Sequence, residues 1–379
     1  MKVALLGDYR ADRLVAPLSA AGAEVVVLGD AGRYRNATHL LDRLDGVDVL
    51  LPTVFAPGEE QALPVYAQVG NHWRAKGHEA LTHPEGFAAL VTDKVEFHLV
   101  ARQRGWPVPR GVVCRDRIEL VQAVADLGFP VVVKQARSES GSGRRVVRDA
   151  TALRDLPPRF PVLVQRFITG QEHGVELITA ATGTVAWPVA SLDALDHDCA
   201  PWKRARVMPA DLPPGATAVL EAFVGDVVET WKPVGPWQID FAVSDGDLLV
   251  IELNGRLGGL ANLGWACTGD DPYAVLGRVA LGAAPDRPRA GRVALELPLR
   301  TGSVLTPAPD GMTVKPFVPT TTRGPSVFTD AYRVVVAVPA DRGAAAAAWL
   351  RTLDGLLVDH GAAVDQLDRG LRALPRDRR

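Results

Sequence analysis

The residues best placed to do chemistry lie in one stretch of two apolar runs. Gln238-Ile239-Asp240-Phe241-Ala242-Val243 and Leu248-Leu249-Val250-Ile251-Glu252-Leu253-Asn254-Gly255-Arg256 flank the polar turn Ser244-Asp245-Gly246-Asp247. Apolar runs on either side of an Asp-Gly turn read as a β-hairpin. Side chains alternate faces along a strand, so Glu252 and Asn254 share one face, and Asp240 can join them from the partner strand. Two carboxylates and a carboxamide form an oxygen-only ligand set, suited to Mg2+ that is held partly by substrate phosphates. Arg256 follows, placed to meet phosphate charge with its planar fork. A two-residue Asp245-Gly246 turn would by itself set Asp240 opposite Ile251, on the wrong face. Convergence therefore requires an odd-numbered loop or a bulge, and a bulge is the expected geometry. The competing reading is a hairpin edge whose acids merely face water, and the apolar continuity of the second strand argues against it.

Other stretches add cations and loops of matching chemistry. Val131-Val132-Val133-Lys134 ends a buried strand on a lysine, which is costly unless the ammonium has a partner. Ser138-Glu139-Ser140-Gly141-Ser142-Gly143 follows at once, a loop whose backbone N–H groups could cradle phosphate. Asp93-Lys94 opens a helix that runs through Arg104, with Thr92 or Asp93 as N-cap and Gly105-Trp106-Pro107 as the stop.

Taken in order, these motifs resemble the ATP-grasp superfamily, which includes biotin carboxylase, carbamoyl-phosphate synthetase and the D-alanine ligases. The resemblance spans roughly Lys94 to Leu281. It implies ATP and Mg2+ as cofactors, with two metal ions for which Mn2+ can substitute, and Asp240, Glu252 and Asn254 as the metal ligands. Lys94 and Lys134 would touch the phosphates, and Ser140, Gly141, Ser142 and Gly143 would form the flap over them. Gln165, Arg166, Phe167 and Ile168 would line the adenine hinge, and Glu172 would accept from the ribose hydroxyls. Many members have a glutamate where this chain has Gln165, but an amide oxygen also accepts from adenine N6. A basic residue between Asp193 and Val207 would meet the γ-phosphate or the acceptor, with Lys203 and Arg206 as candidates and a plain surface cluster as the alternative. Lys134 and Arg256 would be the catalytic cations.

The elements that must position these groups are α/β in class. Val3-Ala4-Leu5-Leu6, Val25-Val26-Val27-Leu28 and Val47-Asp48-Val49-Leu50-Leu51-Pro52 alternate with helical segments, which implies a parallel N-terminal sheet. Its first turn, Gly7-Asp8-Tyr9-Arg10, lacks the dinucleotide-binding glycine pattern. Strand ends of such sheets bind ligands, so Glu59 and Glu60 are candidate acceptor contacts. With the resemblance, the expected organisation is an N-terminal α/β domain over residues 1–92 and a two-lobed ATP-grasp module over 93–290, followed by a small C-terminal α/β appendage over 291–379. The small lobe would cover about 110–168 and the large lobe about 169–290. The appendage carries no evident chemistry, apart from Lys315 and Arg323 as weak candidates to reach the site, and the last residues read as polar and frayed.

Composition bounds the function. The 379 residues carry a net charge of −2, which disfavours electrostatic capture of nucleic acid or acidic membrane. No apolar run is long enough to span a bilayer, and the start reads as a strand rather than a leader. Cys114, Cys199 and Cys267 have no zinc or redox spacing and read as reduced thiols in a cytoplasmic protein. The resemblance implies an ADP-forming carboxylate–amine ligase that makes an amide bond through an acyl phosphate, with small-molecule carboxylate and amine substrates, an amino acid or small peptide foremost. The alternatives are a purine-pathway type of ligase joining bicarbonate to a ribonucleotide, a small-molecule kinase, and a nucleotide-binding regulatory module without turnover. A phosphorylated substrate would call for a basic cluster in the first domain, and none stands out there. A homodimer is expected by analogy alone.

Overall fold

The computed structural model describes residues 1–30, 36–54, 59–138, 143–195, 203–300, 304–317, 332–358 and 360–375. The N-terminal strands β1 (Lys2–Leu6), β2 (Glu24–Leu28), β3 (Val49–Pro52) and β4 (Glu79–Ala80) form a sheet in the order β2-β1-β3-β4. All three pairings are parallel, as the alternation of strand and helix signals predicts. Such a sheet is covered on both faces, which is why its strands are almost wholly apolar. Val3 and Leu5 pack with Leu14 and Leu18 of helix Ala11–Ala20 and with Leu276 of helix Pro272–Ala280, whereas Ala4 and Leu6 pack on the other side with Tyr66 and Trp73.

A second sheet of four strands comprises β5 (Gly111–Cys114), β6 (Val131–Gln135), β7 (Arg144–Val147) and β8 (Val162–Arg166), in the order β5-β8-β6-β7, all antiparallel. The helix before it runs Lys94–Arg104, as expected. Asp93 caps it, accepting from Val95 N at 2.9 Å and Glu96 N at 3.1 Å, and Gly105 in the left-handed region ends it.

The third and largest sheet contains β9 (Gln171–Ala180), β10 (Gly183–Ala186), β11 (Ala190–Ala194), β12 (Arg206–Met208), β13 (Gly235–Ser244), β14 (Asp247–Asn254), β15 (Val293–Leu299), β16 (Thr313–Phe317) and β17 (Tyr332–Val338). Its order is β14-β13-β9-β11-β12-β15-β17-β16, with β10 paired to β9. The C-terminal strands thus extend the same sheet that carries the hairpin. Two expectations for the C-terminal segment change as a result. Its strands bring side chains to the cleft described below. Residues His360–Ala373 form a helix rather than a frayed end, with Ala363 and Leu367 fully buried against the β15–β17 region. The signal was an i, i+4, i+8 apolar stripe, Ala363, Leu367 and Leu371, masked by the polar residues between them. Among the described residues no helix is long and apolar enough to cross a membrane.

His83, just after β4, ties the first sheet to the hairpin. Its Nε2–H is shared between the carbonyls of Pro236 and Gly255, both at 3.1 Å, and its Nδ1 accepts from Val234 N at 3.2 Å. Complete burial pushes its pKa down to about 4, against the opposing pull of the two carbonyls.

Two outcomes follow. Between pH 6.5 and about 4 the unfolded chain takes up a proton that folded His83 refuses, so stability is intact above pH 6.5 and falls as the pH drops to about 4. The loss should reach up to about 3 kcal/mol. Urea midpoints measured across this window should slope less in His83→Gln. Some slope should remain, because buried His173 is also lowered to about 4; an identical slope would refute the assignment. Leu367→Ala should cost about 2–5 kcal/mol in the same assay, whereas a change within about 0.5 kcal/mol would mean the terminal helix contributes little.

Candidate active site

The hairpin resolves the register conflict with a bulge and keeps the two-residue turn. Ser244 pairs with Asp247 around a two-residue turn in which Asp245 and Gly246 have φ of 53° and 92°, the mirror-image turn that Asp-Gly favours. Phe241 pairs with Val250, but Asp240 pairs with Glu252. Ile251 is therefore the extra residue of a bulge, and it returns Asp240 to the face of Glu252. Gln238 pairs with Asn254 in the next position, so four polar side chains share that face.

Their hydrogen bonds lock the set. Gln238 Nε2 donates to Asp240 Oδ1 at 2.6 Å, and Asn254 Nδ2 donates to Asp240 Oδ2 at 3.1 Å. Gly174 lies opposite Asp240 on β9, and a Cβ there would come within 3.1 Å of Asp240 Oδ1. Across the gap, Lys94 Nζ stands 3.5 Å from Glu252 Oε2 and donates to the carbonyl of Ser138 at 2.6 Å. Burial raises the Asp240 carboxyl, and the nearby Glu252 and Glu172 raise it further. Glu252 moves the other way. Burial alone would raise it, but Lys94, Lys134 and Arg256 outweigh that and hold it below the usual range. Lys134 is pushed down to about 8 by burial, with Glu252 opposing. A cation entering between the acids would relieve Asp240, and added phosphate would favour charged Lys134.

The donor set fits magnesium. Among the described residues no three His, Cys, Asp or Glu side chains converge. Asp240, Glu252 and Asn254 supply a partial oxygen shell of the kind Mg2+ completes with water and phosphate.

One cleft connects these groups. It runs between the second and third sheets and reaches the end of the first. Its walls include Lys94, Lys134, Gln165, Arg166, Phe167, Ile168 and Glu172, together with Asp240, Glu252, Asn254 and Arg256. Arg206 also lines it, whereas Lys203 is exposed and does not. The basic residue beside Lys203 that turns inward is Arg204, which donates to Glu172 Oε2 at 2.5 Å. Gly143 is described outside the lining, with its carbonyl accepting from Gln135 N at 2.9 Å. Ser140, Gly141, Ser142, His197, Cys199 and Arg323 lie outside the described residues. Lys315 sits over the ring of Trp265, 3.9 Å from its centroid, and not in the cleft. Of the two acids after β3, Glu60 lines the cleft and forms an ion pair with Arg256, whereas Glu59 is buried outside it.

Several cleft residues escaped the sequence reading. Tyr9 and Arg10 enter from the turn after the first strand and Arg13 from the helix that follows it, so the first region does supply basic groups. The available signal was their position, since ligands bind at such strand ends. Glu296 and Arg333 come from β15 and β17. Beside the cleft rather than in its lining, Glu176 on β9 accepts from Gly258 N at 2.6 Å and is pushed up to about 8 by burial. A lone Glu in an apolar strand gave no hint of this.

Comparison with known proteins agrees with the geometry. Residues 99–258 match the ATP-grasp domain family model. The carbamoyl phosphate synthase large chain of Gemmatimonas aurantiaca is 27% identical over 189 residues, covering 46% of this chain and 17% of that one. The N5-carboxyaminoimidazole ribonucleotide synthase of Synechococcus elongatus is 28% identical over 179 residues, covering 46% and 44%. The chain thus spans less than half the length of these relatives. Among solved structures, the biotin carboxylase domain dimer of Hydrogenobacter thermophilus 2-oxoglutarate carboxylase, in complex with MgADP, ADP and bicarbonate, aligns with a TM-score of 0.69 at 14% identity, covering 93% of this chain and 89% of that one. That likeness is one of fold. A matching sequence model, a matching fold and a hairpin that sets Asp240, Glu252 and Asn254 on one face of a lysine-lined cleft agree in making residues 99–258 similar to the ATP-grasp domain.

Proposed function

We propose that this protein is an ADP-forming ligase that activates a carboxylate with MgATP and joins it to an amine. The observation that carries the reading is the bulged hairpin, which sets Asp240, Glu252 and Asn254 on one face of a cleft that half-buried Lys94 and buried Lys134 also line. Bound MgATP would supply the phosphoryl group that makes the carboxylate an electrophile. The chain's own residues position and neutralise charge, which is most of what phosphoryl transfer asks of a protein. Asp240, Glu252 and Asn254 would hold magnesium. Lys94 and Lys134 would offset the phosphates, and Gln165 to Ile168 would face the base. Arg256, kept in place by Glu60, would meet the activated carboxylate. Division into an N-terminal domain, a two-lobed module and a C-terminal segment belongs to the same proposal.

A specific observation favours a second reading in which the activated carboxylate is bicarbonate. Arg10 and Arg13 place basic groups near the first-sheet end of the cleft, where a phosphorylated acceptor would need them, with Arg13 held in place by its pairing to Asp271. The fold likeness to a bicarbonate-bound biotin carboxylase domain supports it as well.

Hydroxylamine separates these readings. Purified protein with MgATP, hydroxylamine and a panel of amino acids and other small carboxylates should release ADP and form one hydroxamate. ADP release that requires bicarbonate and a ribonucleotide amine, with no hydroxamate from any organic acid, would select the second reading. A stable phosphorylated product would overturn both in favour of a kinase. Glu252→Gln should lower kcat/KM by about a hundredfold or more, because it removes charge stabilisation made in the transition state. Raising Mg2+ should partly restore activity in Asn254→Ala but not in Glu252→Gln.

A further inference from the structure

The large sheet sets its cleft-facing side chains on a grid. Gly174 on β9 stands opposite Asp240, and Glu172 stands opposite Ala242 two residues away. Residues two apart on a strand share a face, so Glu172 shares the face of Asp240. Gln165 to Ile168 line the same cleft, and Glu172 is the lining residue that comes between them and the Asp240 row along the chain. A nucleotide with its base at Gln165 to Ile168 and its phosphates at Asp240 and Lys134 must pass its sugar beside Glu172. That carboxylate is braced. Arg204 Nη2 donates to its Oε2 at 2.5 Å, and Arg204 Nη1 donates to the carbonyl of Ala194 at 3.1 Å. Leu195 N donates to the carbonyl of Gly170 at 2.8 Å, so the end of β11 that holds Arg204 also holds the turn before Glu172. Gly170 has φ of 137°, and a Cβ there would collide with the carbonyl of Val243. The side chains of Arg204 and Glu172 are 5% and 12% exposed, and Arg204 does not line the cleft. The guanidinium therefore approaches from behind. A guanidinium fork often meets a carboxylate with two prongs, but here the contact has one. Arg204 Nε has no hydrogen-bond partner among the described residues, and Glu172 Oε1 accepts from none of them.

We propose that Arg204 is a positioning residue for sugar recognition: it ties down Glu172 Oε2 from outside the cleft and leaves Oε1 as the one oxygen that meets the ribose. The inference rests on the MgATP reading and deepens it. An unbraced carboxylate takes both hydroxyls of a ribose at once, one on each oxygen. With Oε2 engaged by a charge-assisted bond, the site reads one hydroxyl strongly and the other weakly. The brace also fixes the Glu172 rotamer before the nucleotide arrives, so binding does not lose that side-chain entropy.

Deoxynucleotides read the brace directly. The full chain is titrated calorimetrically, in Mg2+, with ADP, 2′-deoxy-ADP and 3′-deoxy-ADP. The wild type should bind one deoxynucleotide about tenfold or more weaker than ADP, the loss of a hydrogen bond to a charged group, and the other less than about threefold weaker. Arg204→Met should weaken ADP itself and bring the three ligands to within about threefold of one another. Glu172→Leu should do the same, and adding Arg204→Met to it should change the discrimination no further, because both act through one contact. The asymmetry in the wild type needs no variant, so the proposal stays open to refutation even where breaking the buried pair unfolds a single variant. Equal losses for the two deoxynucleotides in the wild type would overturn it, as would an Arg204→Met protein that discriminates as the wild type does. A wild type that binds MgADP and both analogues alike would overturn the assignment of Glu172 to the sugar, and the proposal with it. Failure of the wild type to bind MgADP would instead overturn the ATP-site reading on which both depend.

Discussion

The site depends on one residue of backbone. Ile251 is inserted without a partner between Val250, opposite Phe241, and Glu252, opposite Asp240. Without it the favoured Asp-Gly turn would run the ladder in strict register, and Asp240 would point to the face opposite Glu252. With it, Gln238, Asp240, Glu252 and Asn254 stand side by side, and two carboxamides brace one carboxylate. A bulge also bends its strand and strengthens the local twist. Burial and then the neighbouring Glu252 raise Asp240, and the arrangement persists because the opposite charge comes from Lys94 on its helix, Lys134 in the second sheet and Arg256 just beyond β14.

The surrounding architecture serves to bring those elements to one place. The helix capped by Asp93 carries Lys94, the second sheet carries Lys134, and the end of β14 carries Arg256. Each is anchored far from the cleft. Val131 and Val133 sit in the core of the second sheet, the Lys94 helix packs through Phe97 and Ala101, and His83 holds the carbonyl of Gly255 between Asn254 and Arg256. Rigid supports of this kind matter because charge that must be neutralised in a transition state is best met by groups already in position.

Charge is distributed unevenly along the cleft. At the hairpin end, acids and lysines nearly balance. Towards the first sheet and the C-terminal strands, arginines predominate. Arg13 is taken up structurally, bonded to Asp271 at 3.0 Å and Asn262 at 2.8 Å, and Arg256 is held by Glu60. Arg206 and Arg333 share Glu296.

The local chemistry of this protein is written in its sequence. An Asp-Gly turn between apolar runs, a capped helix beginning at Lys94, a strand ending on a lysine and the alternation of Glu252 with Asn254 each follow from propensities and periodicities that act over a few residues. Even the bulge could be inferred, because two incompatible local requirements left few ways out. What only the tertiary structure decided is which distant residues meet. Arg10 and Arg13 looked like an ordinary turn and surface helix, Glu176 like an isolated polar residue in a strand, and Glu296 and Arg333 like parts of an appendage. Their roles arise because β15 pairs with β12, and because the first sheet ends at the cleft. Pairings between segments so far apart along the chain are fixed by the packing of whole faces, and no short stretch of sequence encodes them.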